Sequence, residues 1–286
     1  MSTKKPLFAF FGTPHFAVTV LNALESHGIL PALVITAPDK PAGRGMELKE
    51  APAKAWAKER GIDVLTPTTL KNEELFAELQ NTEWDVFVVA AYAKLIPKKF
   101  LDMPRRGALN VHPSLLPKFR GPSPALSAIL ADERVTGVSI MQMSEAMDAG
   151  PIVAQARVEL EEDAWPMPGS QFEELLATEG GNVLAETLPL WLAGKITPEP
   201  QDESKVTFTR KFTDDDSLID LSGDARQNYL KIRAFDKNPR AHFIDTGGKR
   251  VIITDAEFKD GALTILKVIP EGKKEMPYGL LRNPRR

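Results

Sequence analysis

The chain has no cysteine in its 286 residues. Disulfides, thiol nucleophiles and thiolate metal sites are therefore excluded. Histidine is nearly as scarce. His15, His27, His112 and His242 stand far apart and show no ligand spacing, so no metal is expected. No apolar run approaches bilayer length. The basic opening Met1-Ser2-Thr3-Lys4-Lys5-Pro6 leads straight into a short strand-like segment, unlike the longer apolar stretch of a signal peptide. A cytoplasmic protein with no membrane association is expected. The G-x-G-x-x-G turn is missing too, which leaves a dinucleotide cofactor with little support.

Hydrophobic residues make up 43% and charged residues 26%, an ordinary balance for a globular chain. The length suffices for one large domain, alone or with a small companion. A net charge of −3 argues against a general nucleic-acid binder, yet the charge is unevenly spread. Residues 1–204 carry 19 Lys and Arg against 27 Asp and Glu, whereas residues 205–286 carry 17 against 12. An acidic body with a basic tail is one way to steer a phosphate-bearing partner, and equally a plain solubility feature.

Leu7 to Phe11 reads as a buried strand, followed by Gly12-Thr13-Pro14 and a helix that ends near Gly28. Strand, glycine turn and helix open a doubly wound α/β domain. A second strand spans Ile29 to Thr36. The run Ala37 to Met46 is too rich in proline and glycine for regular structure and reads as a long loop. Helices are expected over 51–60, 72–79, 98–101, 124–130 and 171–192, and strands over 63–65, 85–91, 137–143 and 152–159, the last at an edge. Thr197 to Ser204 has linker composition. Beyond it, one helix over 225–234 accompanies hairpin-like strands at 242–245, 250–253 and 262–268, and 277–286 reads as a tail. The expected division is a catalytic domain over 1–196, a linker over 197–205 and a small β-rich domain over 206–286.

The chemistry is concentrated at Asn110 and His112. Two apart on a short strand, they emerge on one face, and Pro113 ends that strand. An amide can hold a developing oxyanion, and an imidazole can move a proton near neutral pH. On spacing alone, the commoner use of such residues is to satisfy backbone groups at a strand end. Further on, a second strand-like run ends in a turn with Asp148 beside Gly150. A carboxylate there can orient the imidazole and stabilise its protonated form.

The run Asn110-Val111-His112-Pro113-Ser114-Leu115-Leu116-Pro117, followed by Met147-Asp148-Ala149-Gly150, resembles the folate-dependent formyltransferases. Three further stretches resemble the methionyl-tRNA branch of that family: Phe11 to Ala17, Pro38 to Gly45 and Pro270 to Met276. The resemblance implies a Rossmann-like doubly wound domain with a small OB-like C-terminal domain. It implies transfer of a formyl group from 10-formyltetrahydrofolate to the amine of methionyl initiator tRNA; a monomer acting without metal is expected. The catalytic trio is carried onto Asn110, His112 and Asp148. The folate-contacting loop falls on Ser114, Leu115, Leu116 and Pro117, with Val88 to Tyr92 and Met141 to Asp148 completing the pocket. Contacts to the tRNA fall on Arg44 in the early loop and on Lys273 and Lys274.

Two departures from the family pattern stand out. The C-terminal domain is short, with Asp255 to Gly261 joining two strands where extra strands are usual. Gly121-Pro122-Ser123-Pro124 replaces the common Gly-Ala-Ala-Pro. The rival readings are a formyltransferase acting on a sugar or other small amine, and a catalytically silent folate- or tRNA-binding protein. The intact trio speaks against the second, and the early loop and C-terminal signature against the first.

Overall fold

Strands apolar at every position have no solvent face, so they must be covered on both sides. The computed structural model describes residues 5–42 and 47–282, and such strands form the middle of its main sheet. The first part of the chain holds β1 (Phe8–Gly12), α1 (His15–Ser26), β2 (Leu33–Ile35), β3 (Lys40–Ala42), β4 (Glu47–Lys49), α2 (Pro52–Glu59) and β5 (Asp63–Leu65). Then come α3 (Glu73–Gln80), β6 (Val86–Ala90), α4 (Lys98–Leu101), β7 (Ala108–His112) and α5 (Pro124–Leu130). After these follow β8 (Val135–Gln142), β9 (Ile152–Glu159) and α6 (Gly169–Leu192). The last part holds α7 (Ala225–Ala234), β10 (His242–Ile244), β11 (Arg250–Lys259), β12 (Ala262–Pro270), β13 (Met276–Pro277) and α8 (Tyr278–Arg282).

Seven strands make one sheet in the order β5-β2-β1-β6-β7-β8-β9. The pairs from β5 to β7 are parallel, and β7 with β8 is antiparallel. Alternation along the central strands sorts their side chains into two cores. Phe8, Phe10, Val86, Val88, Leu109 and Val111 pack with residues of α1, α2 and α6. Ala9, Phe11, Phe87, Val89 and Ala108 pack with residues of α3 and α4. Fully burying a phenylalanine such as Phe8 or Phe87 contributes roughly 1.5–3 kcal/mol, so these strands anchor the sheet. Helix α6 comes unusually near: a Cβ at Gly180 would lie 2.5 Å from Val111 Cγ1, and one at Gly181 2.5 Å from Ala23 Cβ. The glycine pair thus lets α6 press on β7 at Gly180 and on α1 at Gly181.

Two compact units are present. One comprises the chain up to Gly121 together with Gly137–Val158 and Glu174–Phe208; the other comprises Pro122–Thr136, Glu159–Glu173 and the chain from Thr209. In the second, an antiparallel sheet runs β10-β11-β12-β13, with α7 packed on β11 and β12. Leu230, Phe235, Phe243, Val251 and Val268 are buried there. Register shifts around Asp255 mark a bulge, after which the inward position moves from Val251 and Ile253 to Ala256. The bulge lets β11 continue to Lys259, so Asp255 to Lys259 is strand and only the Asp260-Gly261 turn connects it to β12.

Three local expectations change. Lys40–Ala42 pairs antiparallel with Glu47–Lys49 across the early loop. A two-stranded ribbon accommodates Pro41 because half of its backbone donors point away from the partner strand. The second strand is shorter than its apolar run, covering only Leu33–Ile35. Met276–Pro277 pairs with β12 and Tyr278–Arg282 forms α8, so residues 277–282 of the expected tail are regular structure, and its last four lie outside the described residues.

Candidate active site

Asn110 and His112 follow Ala108 on the α3–α4 side of β7, because Leu109 and Val111 face α1 and α6. Asn110 is half-buried and His112 is 4% exposed. Strand β8 opposes β7 with Ser139 beside His112 and Gln142 beside Leu109. Its carboxyl end therefore lies at the amino end of β7, and residues 143–151 must double back to reach the histidine. They do: Asp148 Oδ2 lies 3.8 Å from His112 Nδ1. Asp148 has φ 49°, a left-handed conformation that aspartate adopts more readily than most residues. Gly150 makes the return possible, since a Cβ there would sit 1.8 Å from the Gln142 carbonyl oxygen. Gly150→Ala is accordingly expected to destabilise the protein by about 1–3 kcal/mol and to displace the turn. Melting and turnover measured together check this, and parental values for both would show that the turn yields without consequence.

The histidine's tautomer follows from its partners. His112 Nε2 lies 3.0 Å from the Phe119 carbonyl oxygen, which can only accept, so Nε2 carries the proton. The neutral ring then presents its lone pair at Nδ1, toward Asp148. Burial disfavours the imidazolium and holds His112 below the usual histidine value; the Asp148 charge and the Phe119 carbonyl oppose that depression without overcoming it. Asp148 Oδ2 also accepts from Gly121 N at 2.8 Å. The result is a neutral base beside a carboxylate, with an amide two residues back on the same strand face. Such a set can accept a proton, stabilise the cation formed, and donate to an oxyanion.

In the loop after β7, Ser114 Oγ donates to Lys118 O at 2.7 Å and Ser114 N to His112 O at 2.9 Å. Ser139 Oγ donates to Ser114 O at 2.6 Å and accepts from Leu116 N at 3.0 Å. Gln155 Nε2 donates to Leu116 O at 3.0 Å. Ser114 and Leu116 are buried and committed to the loop's own shape, while Leu115 and Pro117 are partly exposed. Tyr92 is half-buried, edge-on to Phe11 at 5.6 Å on the same side of the sheet as Asn110 and His112. Its hydroxyl is shielded from water and has no hydrogen-bond partner among the described residues, and burial pushes its pKa up to about 12.

The structure brings Asn110, His112 and Asp148 together, with the Ser114–Pro117 loop leading directly from the strand. Lys273 and Lys274 are exposed in the turn between β12 and β13, in the other unit. Arg44 lies outside the described residues. Sequence reasoning missed Arg120 and Gln201, both buried beside the Asp148 turn. Arg120 stood in full view within Lys118-Phe119-Arg120-Gly121, but nothing in a lone arginine announces a buried one. Gln201 lay inside a stretch whose composition reads as linker.

Known proteins resemble this chain to different depths. A family model described as Formyl transferase matches residues 4–175. A methionyl-tRNA formyltransferase of Roseiflexus sp. is 39% identical over 94% of this chain and 89% of its own length. One from Chloroflexus aggregans is 42% identical over 82% of this chain and 74% of its own. Among solved structures, methionyl-tRNA formyltransferase from Clostridium thermocellum superposes with a TM-score of 0.60 at 16% identity, covering 93% of this chain and 98% of that one. A sugar N-formyltransferase from Shewanella gives 0.65 at 18% identity, covering 90% and 100%, so the fold is common to more than one acceptor class. The identities along the length of the chain separate these classes where the fold does not: the chain belongs to the formyl transferase family, among the methionyl-tRNA formyltransferases.

Proposed function

We propose that this protein transfers a formyl group from 10-formyltetrahydrofolate to the amino group of the methionine carried by initiator tRNA. The observation that carries the reading is the His112–Asp148 pair, 3.8 Å apart, with Asn110 on the same face of β7. The relatives' shared identity supports the choice of acceptor.

Formyl transfer to an amine passes through a tetrahedral intermediate and requires no covalent enzyme species. The amine nitrogen attacks the formyl carbon, and the carbonyl oxygen becomes an oxyanion that accepts from the Asn110 amide. His112 Nδ1 takes the proton the amine must lose. Asp148 stabilises the imidazolium during that interval. The bond between formyl carbon and folate nitrogen then breaks, and His112 returns the proton to the departing nitrogen. Folate is held on the α3–α4 side, against Tyr92, Leu115 and Pro117, with Ser114 and Leu116 keeping the loop in shape. The Tyr92 hydroxyl, without a partner among the described residues, is a polar group that a bound ligand can satisfy. Incubating the protein with 10-formyltetrahydrofolate and charged initiator tRNA, and following formylation of the methionine, tests the reading. No formyl-methionine under conditions where a known enzyme produces it would overturn it.

Arg44, Lys273 and Lys274 contact tRNA phosphate in this reading, and phosphate contacts are salt-sensitive and independent of sequence. Changing Lys273 and Lys274 to alanine is expected to raise the KM for charged tRNA and leave folate affinity unchanged. The log–log dependence of tRNA affinity on salt should flatten by roughly 0.7–0.9 for each phosphate that loses its lysine. A parental KM and salt slope would remove both lysines from the tRNA-binding surface.

A further inference from the structure

The residues that hold Asp148 in place come from a segment that composition marks as a connector. Gln201 is 9% exposed. Its Nε2 donates to two backbone carbonyls of the Asp148 turn, Asp148 O at 2.8 Å and Gly150 O at 2.7 Å. Its Oε1 accepts from Arg120 Nε at 2.9 Å. The orientation of this amide is unambiguous, because carbonyls only accept and a guanidinium only donates. Arg120, 4% exposed, is tied in turn to Glu203, with Nη2 at 2.7 Å from Oε1.

The backbone around Arg120 reaches the site as well. Phe119 O accepts from His112 and Gly121 N donates to Asp148 Oδ2. On its other side the same short stretch is bound to Thr207: Phe119 N donates to Thr207 Oγ1 at 2.8 Å and Arg120 N to Thr207 O at 2.9 Å. The segment Gln201–Thr207 therefore grips both partners of the His112–Asp148 pair, one through Gln201 and the other through the Phe119–Gly121 stretch.

We propose that Gln201, oriented by Arg120, is a positioning residue for the reaction: it clamps the Asp148 turn so that the carboxylate stays against His112. The inference rests on the formyl-transfer reading for its effect on rate. Its central prediction does not. Within the turn, Ala149 N donates to Ala146 O at a long 3.4 Å and Ser144 Oγ to the same oxygen at 3.1 Å, and neither holds Asp148 itself, so removing two carbonyl partners frees the turn to move. Misplacement by about an ångström costs on the order of 100-fold in rate where groups must be aligned.

The test is a cycle on the unliganded protein, read by NMR titration of His112. Asp148 is the charged group that acts on this imidazole, so Asp148→Asn is expected to lower its pKa. In a Gln201→Leu background that drop should shrink to less than half, because the carboxylate no longer keeps its distance. An unchanged drop would overturn the clamp, whatever substrate the protein uses. Turnover with 10-formyltetrahydrofolate and charged tRNA should fall roughly 10- to 100-fold in Gln201→Leu, with folate affinity retained. Added to Asp148→Asn, the same change should cost little more, and fully additive losses would also overturn the clamp. Should Gln201→Leu fail to fold, Gln201→Glu keeps the volume and the Arg120 contact while removing both donors, and the same reduced coupling is expected. If the parent forms no formyl-methionine but the NMR cycle shows the reduced coupling, the functional reading fails and the clamp stands.

Discussion

Replacing His112 with alanine is expected to lower turnover roughly 10²–10⁴-fold, the range for loss of a positioned general acid–base group. Asn110→Ala should cost roughly 10²–10³-fold, as removal of an oxyanion donor does. The two act on the same intermediate, so the double variant should lose less than the product of the single losses. Neither change should abolish folding. Removing His112 leaves the Phe119 carbonyl without its donor, at a cost of about 1–3 kcal/mol, whereas β7 itself is held by Leu109 and Val111 on its other face. Circular dichroism and melting, run beside steady-state rates, separate the two effects. A folded His112→Ala protein with near-parental turnover would remove the imidazole from the mechanism.

The pH dependence sharpens that expectation. His112 acts as a base only when neutral, and burial holds its folded-state pKa below the ordinary histidine value of about 6.5. The acid limb of kcat/KM is therefore expected below that value. Asp148→Asn keeps the shape of the side chain and removes its charge. The imidazolium loses its counter-ion, so turnover should fall far more than folate affinity does. The charge of Asp148 raises the His112 pKa, so its loss should also move the acid limb further down. Equal losses of turnover and folate binding would mean that Asp148 mainly shapes the pocket. An acid limb that stays in place would mean that it does not act on His112 at all.

Most of the sheet was legible because its strands are self-declaring. Asp85 to Ala91 is continuously apolar after its first residue, and β6 occupies Val86–Ala90 within it, between the two cores. Asn72 was readable as a helix start, and its side chain accepts from Glu74 N at 2.8 Å. Helix α5 and helix α7 lie where periodicity put them. Local patterns carry such information because propensity and burial act on neighbours in the chain. The path of the Asp148 loop was not readable this way. A strand-like run ending in a turn says nothing about which direction the strand takes, and β8 runs antiparallel to β7.

What the sequence by itself determined is the alternation that sets Asn110 and His112 on one face of a strand, the proline that ends that strand, and the order of residues that marks the family. These are properties of bonded neighbours or of residue type. What only the tertiary structure decided is the set of contacts that turns those residues into a site. Asp148 reaches His112 because Gly150 lets the chain double back, and Gln201 and Arg120 lie buried around that turn despite a polar, proline-rich setting. Composition described Thr197 to Ser204 as a connector, since buried polar side chains look like solvated ones until their partners are known. Those partners lie more than fifty residues away in sequence, at Arg120 and Asp148. Hydrogen bonds over such separations leave no periodic trace in the chain, and the fold alone brings them into being.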